Sequence, residues 1–569
     1  MHRHHRNSYY LVNEGRIIEG GADRAVARVP TPAEEQQAYR FSRLSKEKGV
    51  QIGTELRIKL ALAMTEAQTP DPESQVPVPA GFTYLGQFVD HDLTLDNTQV
   101  DLGDLVSVED LVQARSPALD LDSVYGLGPH HVSSVHFYEP DGRLKTGTTA
   151  AAPFPPGFPT VNTDQKGFDL ARAGSAAGGT KADQRAALIP DARNDENLVV
   201  ASVHRAFIAF HNRVHEQLAE GGLFGPKLFH AARDSVVRHY QWMLRTDFLP
   251  RIVDPDIVER VFTHGRRHFE VPGGRHEERP TMPIEFSVAA YRFGHSMIRD
   301  TYQWNRVFRV AGPGGPATLG LLFRFSGTSG NLNPASVSDS SSLFDLDDPN
   351  AGGGLTLPSN WIADYRRFFD FGEAGRHDLT VPAGEFNPAK RIDTLLVDPL
   401  ATLPEGAFAG RGHPAPPAIQ RNLAFRNLTR AAMVELATGP QLAAQLGIMP
   451  LTADQILHGD NGASLASLTD EECAELVAHT PLWFYILREA EVNKSRPGRL
   501  TGVGGTLVAE VFHRAMESSL SSIVRDRDWR PTLPAYRPGT FTMADLLLFA
   551  FDGDADRINP LGDGPLATS

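Results

Sequence analysis

"GFTYLGQFVDHDLTLD" occupies residues 81–96, and its second half poses the problem this chain has to solve. Asp90, Asp92 and Asp96 crowd His91 inside an otherwise apolar stretch. Pro79, Ala80 and Gly81 precede it, and the spacing of apolar residues predicts a helix over 82–92. On such a helix Gln87 and His91 lie four apart and share a face, with Asp90 adjoining it. Asp92 follows His91 by one residue, about 100° around the axis, and points elsewhere. The two carboxylates flanking the imidazole therefore belong to different surroundings. A helix ending in a polar turn accounts for them, and so do two separate sites if partners exist elsewhere in the chain.

Composition narrows the classes of function. The chain has 569 residues, 41% hydrophobic and 22% charged, with a net charge of −14. That balance is ordinary for a globular protein with a large core. An acidic surface disfavours a nucleic-acid partner, because a phosphate backbone needs a basic face. No stretch reaches the ~18 uninterrupted apolar residues of a membrane span. The first residues, "MHRHHRNSYYLVNEGR", are basic without a following apolar run. They lack the pattern of a Sec-type signal. A cytoplasmic location, or export by a route without that signal, is expected. The tip "MHRHHR" reads as a disordered basic end that could bind metal adventitiously. One cysteine, Cys473, excludes an intrachain disulfide framework and any cysteine-based metal cluster.

Helical periodicity is clearest from 197 to 220, where Val200, Val203, Phe207, Phe210, Val214 and Leu218 recur at spacings of three and four. The segment "MPIEFSVAAYRFGHSMIRD" carries Pro283 near its start and a stripe of Ile284, Val288, Tyr291, His295 and Ile298. It too reads as helix, as do "DQRAALIPDARNDENLVVASV" and "RNLAFRNLTRAAMVELA". Period-two runs are scarce, with "GLLFRFSG" a candidate short strand. Pro- and Gly-rich interruptions, such as "GRGHPAPPA", read as loops. The expected fold class is mainly α with little β.

"SPALDLDSVYG" offers Ser116, Asp120 and Asp122 at alternate positions, with the Ala118 carbonyl between them. Extended backbone would send these side chains the same way. An oxygen-only set suits a hard cation such as calcium, and Asp92 would add a ligand from the helix. A plain polar turn fits the same spacing. His211 and His215 stand four apart, but no zinc-hydrolase carboxylate motif accompanies them, so they read as structural or surface residues.

Taken together these segments resemble the animal haem peroxidase superfamily. "GQFVDHDL" looks like its distal-histidine motif and "SPALDLDSVYG" like its calcium loop, with Ser116 where threonine is usual. "PDARNDENLVV" looks like the distal-arginine motif, with Arg193 and Glu196; "YRFGHSMI" looks like the proximal segment around His295; "LAFRNLTR" looks like the segment that supplies Asn427. The five occur in the family's order from Gly86 to Arg430.

The resemblance implies one large helical catalytic domain over 51–569, preceded by an N-terminal arm over 1–50. It also implies haem, as haem b or an ester-linked derivative, together with Ca²⁺. His295 would ligate iron, with the Asn427 side-chain oxygen accepting from its Nδ1–H. Arg292 and Arg430 would pair with haem propionates. On the other face His91 would move the peroxide proton, Arg193 would stabilise charge, and Gln87 would border the water and halide position. Asp90 and Glu196 match the acids that form ester bonds to haem in mammalian members. Asn197 replaces the methionine that gives one such member a sulfonium link, so that link is excluded by residue type. Asp92, Ser116, Ala118, Asp120 and Asp122 would hold calcium.

The implied activity is reduction of hydrogen peroxide with oxidation of halide, thiocyanate or small phenolic donors. Two other readings stand beside it. One is a fatty-acid dioxygenase of the same superfamily, which uses a tyrosine three residues before the proximal histidine. Here that position is Arg292, and Tyr291 lies one further back, on an α-helix about 100° off the required face. The other is a calcium-stabilised binding protein without catalysis, against which the retained His91, Arg193 and His295 argue.

Overall fold

The computed structural model describes residues 8–11, 16–19, 26–28, 39–66, 75–151, 164–179, 181–272, 280–328, 355–403 and 417–563. The "MHRHHR" tip lies outside them.

Helices build the body. They are α1 (Thr54–Met64), α2 (Gly81–Leu93), α3 (Leu198–Glu220), α4 (Gly225–Met243), α5 (Leu423–Met433), α6 (Leu482–Val492), α7 (Gly502–Ser518) and α8 (Met543–Ala550), with shorter turns between them. Among the described residues the sheets are one of three strands and four of two. The mainly α expectation holds.

The longest helix starts where its cap dictates. Asn197 Oδ1 accepts from the backbone N–H of Val199 and of Val200, satisfying two donors that have no partner within the helix. Its apolar stripe is buried, and α3 packs against α2, α4 and α8. Inside the contact, Phe88 of α2 stacks on Phe207 of α3 with ring centroids 4.6 Å apart. Gly86 lets the chains approach closely: a Cβ there would stand 3.3 Å from the Phe248 ring.

Three local expectations are corrected. "DQRAALIPDARNDENLVVASV" is not one helix: a short helix ends at Arg185, a 3₁₀ turn spans Ala192–Asp195, and α3 begins at Leu198. "GLLFRFSG" is not a strand; Leu319–Arg324 is a short helix, capped by the Thr318 hydroxyl accepting from Leu321 N. The segment around His295 is not a regular α-helix. It is a wide π turn over Glu285–Ala289 followed by a tight 3₁₀ stretch over Ala290–Met297. Packing against α2, α5, α6 and α7 on all sides sets that irregular path.

Residues 39–50, the described end of the stretch read as an arm, are tied to the body. Strand Phe41–Ser42 pairs in parallel with Met282–Pro283. The Glu285 carboxylate accepts from the backbone N–H of Leu44 and of Ser45, both at 2.9 Å.

Candidate active site

A cavity of about 340 Å³ separates the C-terminal half of α2 from the segment around His295. Asp90, Thr94 and Arg193 form one side, Ser287, Val288 and Arg292 another, and Arg426 and Arg430 of α5 a third. His91 stands one residue beyond Asp90, and His295 three beyond Arg292. Asp90 is the shared neighbour. Burial raises its pKa, and Arg193 and Arg292, one from each side, pull it back down. Thr94 Oγ1 donates to Asp90 Oδ1 at 3.1 Å.

His91 is buried. Its Nδ1 lies 2.9 Å from Asn194 Oδ1, so Nδ1 carries the proton and Nε2 keeps its lone pair. That Nε2 is 3.8 Å from Glu196 Oε1, beyond hydrogen-bond range. Burial first, then the Arg193 charge, depress the pKa of His91 to about 3. The imidazole is neutral at physiological pH. Glu196 moves the other way, pushed up to about 7 by burial although Arg193 opposes the shift. Gln87 Nε2 donates to Glu196, and Gln87 Oε1 accepts from Asn197 Nδ2 at 3.0 Å.

Arg193 is half-buried and forms an ion pair with the buried Asp191. Its Nε and Nη2 grip Asp191 at 3.0 and 2.7 Å, and Nη2 also donates to the carbonyls of His91 and Thr94 at 3.2 and 2.7 Å. Arg115 holds the same carboxylate, with Nη2 2.7 Å from Asp191 Oδ2. The guanidinium is thereby locked to the C-terminal end of α2. With two arginines beside it, Asp191 stays far below the usual carboxylate range despite burial.

On the opposite side Asn427 sits between two partners. Its Oδ1 accepts from Arg292 Nη1 at 3.0 Å, and its Nδ2 faces His295 Nδ1 at 3.0 Å. The pairing expected from sequence is present with the amide turned round, because Arg292 claims the oxygen. His295 keeps solvent-accessible surface although it lies deep, and a Cβ on adjoining Gly294 would meet nothing within 4 Å. Burial, then Arg292 and Arg430, depress the pKa of His295 to about 3. Arg292 is itself lowered to about 10 by burial and by Arg430. Arg426, which the sequence did not single out, is lowered to about 10 for the same reasons. Arginines packed this closely suit dianionic or paired carboxylate ligands.

The second group of acids is rearranged relative to expectation. Leu121 adopts a left-handed conformation (φ 59°), so 120–122 is not an extended run. Asp122 opens a short helix, Asp122–Tyr125, and its side chain meets Asp92 of α2. Asp120 turns to accept from the Ser519 hydroxyl. Asp92 accepts from the N–H of Leu121 at 3.2 Å and from the Tyr240 hydroxyl at 3.3 Å; the N–H of Ser116 donates to Asp122 at 3.2 Å. Both carboxyl groups are raised, Asp92 well above its usual value and Asp122 to about 6, with burial the largest cause. Asp122 Oδ1 and Ser123 Oγ are buried without a partner. Ser116 and Ala118 are buried alongside. Among the described residues no three acidic, histidine or cysteine side chains converge as a ready metal cluster.

His211 and His215 are structural. His211 Nδ1 lies 3.1 Å from the Tyr125 hydroxyl, and His215 Nε2 lies 3.1 Å from the Asp141 carbonyl.

The body is mainly helical, and the arginine-lined cavity lies between the helix that carries His91 and the segment that carries His295. Residues 101–312 match the sequence model described as animal haem peroxidase. Peroxidase A from Dictyostelium discoideum shares the fold, with a TM-score of 0.52 and 14% identity over 91% of this chain and 94% of that one. So does a fatty acid alpha-dioxygenase from Oryza sativa solved with palmitic acid, with a TM-score of 0.50 and 12% identity over 98% and 88%. A peroxidase-like protein from Margaritifera margaritifera is 30% identical over 148 residues, 25% of this chain and 17% of that protein's length. Residues 101–312 are thus similar to the animal haem peroxidase family, and the helical fold is shared with both solved structures.

Proposed function

We propose that the protein is a haem-dependent peroxidase that reduces hydrogen peroxide and oxidises halide, thiocyanate or small organic donors. The observation that carries this reading is the His91–Asn194 contact, which leaves one buried, neutral imidazole nitrogen unbonded near a fixed guanidinium.

The residues around the cavity fit a haem. His295, three residues beyond the cavity-lining Arg292, would ligate iron through Nε2, and Arg292 and Arg430 on the cavity wall suit the two propionates. Bound haem would supply the redox-active iron. Ligation through Nε2 requires a proton on Nδ1, so the Asn427 amide must rotate to present its oxygen. That rotation would free Arg292 from Asn427 for a propionate.

On the peroxide side His91 Nε2 takes a proton from the attacking oxygen and returns it to the leaving oxygen. Asn194 holds the tautomer that makes this possible. Arg193, always cationic, stabilises negative charge on the departing oxygen without moving, because Asp191 and two carbonyls fix it. Gln87 stays close to the same space through Glu196. Asp90 and Glu196 retain the carboxyl groups that ester attachment would need.

Calcium is part of the proposal. Two buried carboxyl groups in contact, with an unpartnered oxygen on Asp122, need either a shared proton or a cation. A cation held by Asp92, Asp122 and neighbouring oxygens of Ser116, Ala118 and Asp120 would fasten α2, and so His91, to the following loop.

One observation favours a second reading, fatty-acid oxygenation. Tyr291 is 5% exposed, and its hydroxyl has no hydrogen-bond partner. It lies within electrostatic reach of Asp90 and 3.9 Å from the Cβ position of Gly86. The 3₁₀ path sets Tyr291 about 120° from Arg292, so the case for this reading rests on the unbonded hydroxyl alone.

The deciding experiment loads the protein with haem and records peroxide-induced spectral change in the natural chain and in His91→Ala. Fast change in the first and severe slowing in the second supports peroxidase chemistry; equal rates remove His91. Oxygen uptake with an unsaturated fatty acid, lost in Tyr291→Phe, would replace the first reading with the second.

A further inference from the structure

A larger cavity, about 540 Å³, shares no lining residue with the one just described. It lies where the chain leaves the His295 segment and passes the N-terminal base of α2. There the N–H of Ala80 and of Gly81 donate to the carbonyls of Asn387 and Phe368. Its volume is within the usual range for small-molecule sites.

The charges on its wall are unequal in their commitments. Arg366 is saturated, gripping Asp364 and Asp563 together. Arg299 is not. Its Nη1 donates to the Pro388 carbonyl at 3.1 Å, its Nε is buried without a partner, and among the described residues no carboxylate pairs with it. A half-buried guanidinium on a cavity wall with no carboxylate bonded to it favours an anionic occupant, and the one acid of the lining, Asp370, is bonded to its own turn. Phe369, Phe371 and Phe386 give the same cavity three aromatic walls. Gln303 and Thr380 add neutral polar groups, and Asp370, whose Oδ1 already accepts from Gly372 N at 2.8 Å, adds an acceptor.

We propose that this cavity binds an aromatic carboxylate, with the carboxylate on Arg299, the ring among the phenylalanines and a ring hydroxyl directed to the polar wall. The site is wired to α2. Arg299 N donates to the Tyr302 hydroxyl at 2.9 Å, and the Tyr84 hydroxyl of α2 donates to the same oxygen at 2.8 Å.

The test is calorimetric titration of the full chain with 4-hydroxybenzoate and with its neutral analogue, 4-hydroxybenzamide. The acid should bind at one site, and the amide at least about tenfold more weakly, because it forfeits the charge-assisted bond to Arg299. Arg299→Gln should lose acid binding by a similar factor, while Arg430→Gln, in the other arginine-lined cavity, should keep it. No heat with the acid overturns the proposal, as does equal binding of acid and amide. Loss in Arg430→Gln but not in Arg299→Gln would put the ligand in the other cavity and overturn it too. Should Arg299→Gln fail to fold, the acid–amide comparison in the natural chain decides alone.

Discussion

Asn427 Nδ2 lies 3.0 Å from His295 Nδ1 although 132 residues of chain separate them. The same amide accepts from Arg292, so one buried side chain on α5 fixes both groups on the opposite wall. Removing it leaves His295 Nδ1 and Arg292 Nη1 without this partner, while Arg292 Nε still donates to the Ser287 carbonyl at 3.0 Å.

Asn427→Ala should therefore weaken haem retention by about 10–100-fold, the usual effect of deleting a partner of a metal-binding histidine. Gel filtration of the haem-loaded protein, with absorbance followed in the Soret region, measures it. Retention equal to that of the natural chain would remove Asn427 from that role.

His91→Ala should slow the reaction with peroxide by about 10²–10⁴-fold, the range for losing a positioned general acid–base. Asn194→Ala should slow it less, since the ring remains but its tautomer is no longer held. Stopped-flow spectra order the three proteins. If Asn194→Ala proved slower than His91→Ala, the tautomer argument would be wrong.

The Asp92–Asp122 pair predicts opposite signs with and without a cation. In chelator, Asp92→Asn should raise the melting temperature, because it removes one of two buried acids in contact. In millimolar calcium the natural chain should gain stability that Asp92→Asn does not. Thermal melts in the two buffers separate the cases; a natural chain indifferent to calcium would sink the metal reading.

His204 offers a pH test away from the reacting groups. It is 1% exposed, neither ring nitrogen has a partner, and burial depresses its pKa to about 3. Between pH 6.5 and about 3 the unfolded chain binds a proton there that the folded chain does not. Stability from this residue is thus full above pH 6.5 and is lost as pH falls, with a limiting slope of about 1.4 kcal/mol per pH unit. His204→Leu should flatten the acid side of the stability profile, gaining more at pH 5 than at pH 8. Urea melts at both values check it, and an equal effect at both would contradict the burial argument.

Periodicity and motif order in the sequence determined the helical class, the bounds of α2 within a residue, and a long helix over 197–220 that the structure has as Leu198–Glu220. These are local features, written in spacings of three and four and in the chemistry of helix ends. Tertiary structure alone decided that Asn194 holds His91, that Asp191 clamps two arginines, and that Arg426 joins the cavity wall. It also bonded Asp120 to the Ser519 hydroxyl and wound the His295 segment into π and 3₁₀ turns, which moved Tyr291 from its α-helical position. None of these has a local signature. Most depend on side chains that meet from separate parts of the chain, as Asn194 meets His91 across 103 residues and Arg115 meets Asp191 across 76, and on how a packed segment trades regular hydrogen bonding for close contact.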